Sequence, residues 1–186
     1  MTLTEVEPRL QRETMDDAIS RSEPMNGIVI RDASTDDAPF ISQMIRRMTE
    51  DMASYGGHAP ATEKAAWQKI EALVADELKG SSNKYLIAES ANGDPLGVTN
   101  AELVTLGNAF APKRTIHIHV VYVLPPFRRS GVAGSLLVRI LDWGRAVGAE
   151  QCTLNVLANN PARSLYDEHG FSPFELKLVR SLQTGD

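Results

Sequence analysis

The stretch Val121-Tyr122-Val123-Leu124-Pro125-Pro126-Phe127-Arg128-Arg129-Ser130-Gly131-Val132-Ala133-Gly134 decides how this chain is read. A β-branched and aromatic run ends at Pro-Pro, passes two arginines and enters a helix through small residues. The first four N–H groups of a helix have no intrahelical acceptor, and its dipole adds partial positive charge there. Small side chains at Gly131, Ala133 and Gly134 let a diphosphate approach that backbone, and Arg128 and Arg129 add charge-assisted contacts. The segment therefore reads as strand, turn and helix start shaped to cradle a diphosphate.

Two other nucleotide signatures fail. No Gly-Lys-Ser/Thr follows the glycines, so this is not an NTPase P-loop. A dinucleotide fold wants Gly-x-Gly-x-x-Gly and an acid closing the next strand. Glu150 precedes that strand instead.

Outward from this turn, the chain reads as one α/β domain. Its 186 residues suit a single well-cored domain, and 42% apolar with 23% charged residues is an ordinary globular balance. Residues 1–26 carry six acids against three arginines and few large apolar groups, and read as a flexible acidic N-terminal extension. Residues 27–186 form the domain, and its 18 acids and 16 bases leave it close to neutral.

The net charge of -5 argues against a nucleic-acid binder that works by phosphate neutralisation. No apolar run approaches a membrane span, and the N-terminus has no apolar signal-peptide core, so a cytoplasmic setting without a membrane partner is expected. Cys152 stands alone, which rules out an intramolecular disulfide and a Cys-based zinc site, and no metal is expected.

The expected element order is β-α-α-β-β-β-α-β-α-β. A strand at Ile28–Arg31 precedes a helix capped by Ser34 or Thr35, with Phe40, Ile41, Met44, Ile45 and Met48 at helical spacing. A second helix starts near Thr62, carries Trp67, Ile70, Leu73, Val74 and Leu78 on its apolar side and ends at Gly80. Asn92-Gly93 joins two strands as a hairpin. The strand Thr115–Val123 feeds the cradle, and Val132, Leu136, Leu137, Ile140, Leu141 and Val147 form the buried stripe of the helix after it. Residues 151–157 give another strand. Asn160 and Pro161 then open a short helix, and Phe171 leads into a last strand pair.

With these elements in place, two blocks resemble one family. Val123-x-Pro125-x-x-Arg128-Arg129-x-Gly131-Val132-Ala133-Gly134-x-Leu136-Leu137 is similar to the acetyl-CoA motif of GNAT superfamily N-acetyltransferases, Arg/Gln-x-x-Gly-x-Gly/Ala. Asn159-Asn160-Pro161-Ala162-Arg163-Ser164-Leu165-Tyr166-Asp167-Glu168-His169-Gly170-Phe171 resembles that family's Asn-x-x-Ala-x-x-Leu-Tyr-x-x-x-Gly-Phe signature. Both blocks occur in the family's order and spacing, and the resemblance covers about residues 28–175.

The resemblance implies a GNAT acyl-CoA N-acyltransferase fold. Its mixed, splayed central sheet is flanked by helices and holds the pantetheine arm of acetyl-CoA between its fourth and fifth strands. Carried onto this chain, it implies backbone contacts from Val121 and Val123 to the pantetheine arm and thioester. It places the pyrophosphate on Arg128, Arg129, Gly131, Val132, Ala133 and Gly134, and a further cofactor contact at Asn159. Asn160 reads instead as a structural cap.

Acetyl transfer to an amine needs a neutral amine, a stabilised oxyanion and a proton for the departing thiolate. Tyr166 matches the family tyrosine and is the candidate general acid. Many relatives carry a glutamate in the fourth strand where this chain has His119, so His119 is the candidate base, with Glu102 on the preceding strand as a second. His117, two residues before His119 on the same strand face, and Tyr55 and His58, in the loop after the first helix, are candidate acceptor-binding residues.

The implied activity is acetyl transfer to a small-molecule primary amine by direct attack in a ternary complex. The alternatives are a protein lysine or N-terminal acetyltransferase and a non-catalytic CoA-binding sensor. A homodimer is a possible assembly, as dimers are common in the family.

Overall fold

A computed structural model describes residues 27–107, 109 and 114–180. The proposed flexible extension, residues 1–26, lies outside the described residues. Five strands form one sheet in chain order: β1 (Val29–Asp32), β2 (Asn83–Glu89), β3 (Pro95–Thr105), β4 (Arg114–Val123) and β5 (Gln151–Leu154). The first four pair antiparallel, and β4 with β5 is parallel, so the sheet is mixed.

Helices α1 (Ala38–Ser54) and α2 (Lys64–Glu77) separate β1 from β2, α3 (Val132–Ala146) joins β4 to β5, and α4 (Arg163–Glu168) follows β5. The helical spacing read from the sequence holds for most positions, but Leu73 of α2 is 53% exposed and Leu141 and Val147 are only half-buried. Ile41 and Met44 of α1 and Leu136, Leu137 and Ile140 of α3 are fully buried. The β2–β3 hairpin turns through Gly93, whose φ of 85° few other residues adopt.

The sheet separates two cores. One contains Ile41, Met44, Val74, Ile87, Val98, Val120 and Tyr122, beneath α1 and α2. The other contains Leu86, Ile116, Ile118, Val123, Val132, Leu136 and Ile140, beneath α3, with Tyr166 and Phe171 packed against it. Tyr85 of β2 donates its hydroxyl hydrogen bond to Glu77, tying the end of α2 to the sheet.

Two features of β4 prepare the site. Ala101 pairs with Ile118 but Asn100 pairs with Val120, so His119 is an extra residue, a β-bulge. Ile116 and Ile118 therefore face the α3 side, while Val120 and Tyr122 face α1 and α2. The second feature is the short contact with β5, which covers only Thr115–Ile118 of a ten-residue strand. Beyond Ile118 the two strands part.

The structure differs from the sequence expectation at the C-terminal end. β5 stops at Leu154, and no strand occurs among residues 155–180. Phe174, Leu176, Leu178 and Val179 are 73–91% exposed. Pro173 has no N–H to give a ladder, and nothing covers the apolar side chains that would reward pairing.

Candidate active site

The turn after β4 is built for anions. Pro125–Phe127 forms one turn of 3-10 helix, which Phe127 N–H closes onto the Leu124 carbonyl at 2.9 Å. Arg129 then takes φ 63° and Gly131 φ 87°, both left-handed. Ser135 N–H donates to the Gly131 carbonyl at 3.0 Å as the first bond of α3. The N–H groups of Val132, Ala133 and Gly134 fall in that helix's first turn, where intrahelical acceptors do not exist. Left-handed residues alternating with ordinary ones curve successive N–H groups inward, the geometry of an anion nest. These residues fit a diphosphate.

The two arginines divide. Arg129 is exposed at the turn. Arg128 turns away from the expected phosphate contact: its Nε donates to the Val123 carbonyl at 3.0 Å and its Nη2 to Asp51 Oδ2 at 2.5 Å. The guanidinium lies over Tyr122, 5.3 Å from the ring centroid. Asp51 was not legible as a site residue. The available signal was an acid on the α1 stripe, four residues before Tyr55 and three after Met48.

On the α1–α2 face of the sheet, β3, β4 and β5 bring polar groups together. His119 Nε2 lies 3.1 Å from Glu102 Oε2, both about 45% exposed. His117 Nδ1 lies 2.8 Å from Thr153 Oγ1, and its Nε2 is 3.5 Å from Asn155 Nδ2. The His117 and His119 rings meet edge to face at 4.7 Å. Burial, aided by the neighbouring His119, holds His117 below the ordinary imidazole range, against a smaller opposing pull from Glu102.

Tyr166 approaches from the opposite face, packed with Val121 against the α3-side core. Its ring is edge to face with Phe171 at 6.0 Å, and burial pushes its phenol above the ordinary range. The candidate acid and base thus lie on opposite faces of the sheet.

The remaining candidates are placed less tightly. Gly57 in the loop after α1 sits against Leu157 beyond β5, where an added Cβ would lie 3.1 Å from Leu157 Cδ1. Tyr55 closes α1 beside that contact and is half-buried, whereas His58 is exposed. Among the described residues, His58 makes no hydrogen bond or ion pair with His117 or His119. Asn159 is exposed before α4. The helix begins at Arg163 with Ala162 at its N-cap, so Asn160 is not the cap expected from the sequence. Its Oδ1 instead accepts the Ala162 N–H at 2.9 Å in a turn ahead of the helix.

Cys152 is half-buried with its thiol pushed up to about 12 by burial, so it is not a nucleophile. No group of three or more His, Cys, Asp or Glu among the described residues could hold a metal ion. A shallow groove of about 440 Å³ between Thr35–Pro39 and α2 includes none of these side chains and has no part in the site.

The model of the acetyltransferase (GNAT) family matches residues 43–171, which run from within α1 to just past α4 and include both halves of this site. The chain belongs to that family. As an acetyltransferase it is 29% identical over 143 residues to an uncharacterised N-acetyltransferase, YhfO, of Bacillus subtilis (strain 168), covering 76% of this chain and 88% of that protein. Its fold is also that of a predicted acetyltransferase from Clostridium acetobutylicum solved with acetyl-CoA. The TM-score is 0.68 at 17% identity, over 84% of this chain and 97% of the other. An aminoglycoside 6'-N-acetyltransferase, AAC(6')-Ih from Acinetobacter baumannii, gives a TM-score of 0.60 at 17% identity, over 86% of this chain and all of that one. At such identities the likeness is one of fold. The mixed five-stranded sheet flanked by helices is the GNAT architecture. No helix among the described residues is long and apolar enough to cross a membrane.

Proposed function

We propose that this acetyltransferase moves the acetyl group of acetyl-CoA onto a primary amine of a small molecule, by direct attack while both substrates are bound. The observation that carries the reading is the parting of β4 from β5 after Ile118, directly before the anion-binding turn. An unpaired strand edge running into a diphosphate cradle suits a long, polar, phosphate-ended chain. The backbone of Val121 and Val123 lies along that edge, and Arg129 with the N–H groups of Gly131 to Gly134 ends it.

Acetyl-CoA supplies an activated carbonyl and a thiolate leaving group. His119, held by Glu102, accepts the amine proton directly or through water. The carboxylate orients the imidazole toward the proton it is to accept. Tyr166 stays protonated at neutral pH because burial raises its phenol, so it can donate to the departing sulfur. His117, beside His119, is kept neutral by burial, and with Tyr55, His58, Thr153 and Asn155 it borders the acceptor. No enzyme nucleophile is needed, in keeping with the inert Cys152.

Structural neighbours described as aminoglycoside acetyltransferases support a small-molecule amine over a protein acceptor. Free thiol release from acetyl-CoA, measured across aminoglycosides, diamines, amino acids and lysine peptides, tests this reading. Release driven by small amines supports it. Release driven only by peptides moves the acceptor to proteins, and no amine-dependent release leaves a CoA-binding sensor.

A further inference from the structure

Arg128 is the first cation of the cradle turn, yet its side chain is held by a different element. Asp51, near the C-terminal end of α1 and 77 residues earlier, contacts Nη2 at 2.5 Å. The Tyr122 ring lies under the guanidinium. So fixed, the guanidinium holds the Val123 carbonyl through Nε at 3.0 Å. Val123 is the last residue of β4, and the chain leaves the sheet from it.

Both partners of the ion pair are a little over one-third exposed, so the pair itself adds little stability. Its effect is directional. A guanidinium is a planar fork, and Nε and Nη2 can serve two acceptors at once only when its plane is set. With that plane set, the Val123 carbonyl is fixed, and with it the direction in which Arg129 and Gly131 begin their left-handed turns. Those residues aim the N–H groups of the cradle.

We infer that Asp51 is a positioning residue for cofactor binding: acting through Arg128, it sets how the chain leaves β4 and so where the cradle N–H groups point. The inference rests on the diphosphate reading proposed above. It separates the adjacent arginines, with Arg128 serving the turn and Arg129 facing the ligand. It also differs from the plainest alternative, in which a carboxylate on the acceptor side of the sheet binds the amine.

Calorimetric titration with coenzyme A of the wild type, Asp51→Asn, Arg128→Lys and the double variant tests it. Lysine keeps the charge of Arg128 but cannot serve two acceptors as a fork. Each single change is expected to weaken coenzyme A binding about five- to tenfold. The double variant should be no weaker than the worse single, because both changes break one arrangement. Asp51→Glu, which restores a carboxylate, should recover part of the loss, and it carries the test if Asp51→Asn fails to fold. Glu50→Gln, which breaks only the surface pair with Arg46, should leave binding unchanged.

Unchanged affinity in Asp51→Asn overturns the inference, as does a double variant whose loss is the sum of the two singles. A wild type that binds no coenzyme A overturns the cradle reading itself. Normal wild-type binding with an indifferent Asp51→Asn overturns only the role of Asp51.

Discussion

His119 and Glu102 meet at 3.1 Å across β4 and β3 because His119 is the extra residue of a bulge. Without the bulge, strict alternation would carry Val121 and Val123 to the face that His119 occupies. With it, the imidazole stays beside a carboxylate while the strand beyond presents its other side to α3. On the proposed mechanism Glu102→Gln lowers kcat about tenfold or more by leaving the imidazole poorly oriented, and His119→Ala lowers it further. Steady-state thiol release measures both, and unchanged turnover in His119→Ala would move the base elsewhere.

Tyr166→Phe should lower kcat by about 10² or more, the usual worth of a positioned acid, with coenzyme A affinity intact. Burial raises the phenol, so loss of its proton shifts to higher pH than in a free tyrosine, and no basic limb below pH 10 belongs to it. Unchanged turnover in the phenylalanine variant would leave Tyr166 a packing residue for Phe171.

Arg129 holds a left-handed conformation that L side chains avoid, at a cost of about 1 kcal/mol. Arg129→Gly should therefore raise thermal stability while weakening coenzyme A binding, because strain is relieved and a cation is lost. Opposite signs in a thermal melt and a binding titration are the expected pair. Equal or tighter binding would show that only the backbone at this position serves the ligand.

Most of the fold was legible because its signals are local. Helical spacing of Ile41, Met44 and Val74 marks one core, and Val132, Leu136, Leu137 and Ile140 mark the other. The turn signal at Gly93 held because its φ acts within a few residues, whereas the helix expected from Asn160 begins only at Arg163. The cradle was legible for the same reason. The bulge at His119 was not, since it is a register relation between strands. The Arg128–Asp51 pair was hidden by 77 residues of separation, and Arg128 consequently read as a phosphate ligand. The strand pair expected after Phe171 is missing, and Phe174, Leu176 and Leu178 there stay uncovered.

His117 gives a signature in stability. Its folded-state pKa lies below the unfolded value, so the folded state resists protonation. The associated stability is fully present above about pH 6.5 and is lost as pH falls through the lower folded value. His117→Gln should flatten the fall in melting temperature between about pH 7 and 5. An unchanged slope would assign the acid sensitivity to other groups.

The central claim is direct attack with both substrates bound, and initial rates with acetyl-CoA and the best amine varied together test it most directly. Double-reciprocal lines should intersect, and no acetylated protein should form with acetyl-CoA alone. Parallel lines with an isolable acetyl-protein would contradict the account, because they would require a nucleophile in a site whose cysteine is held protonated.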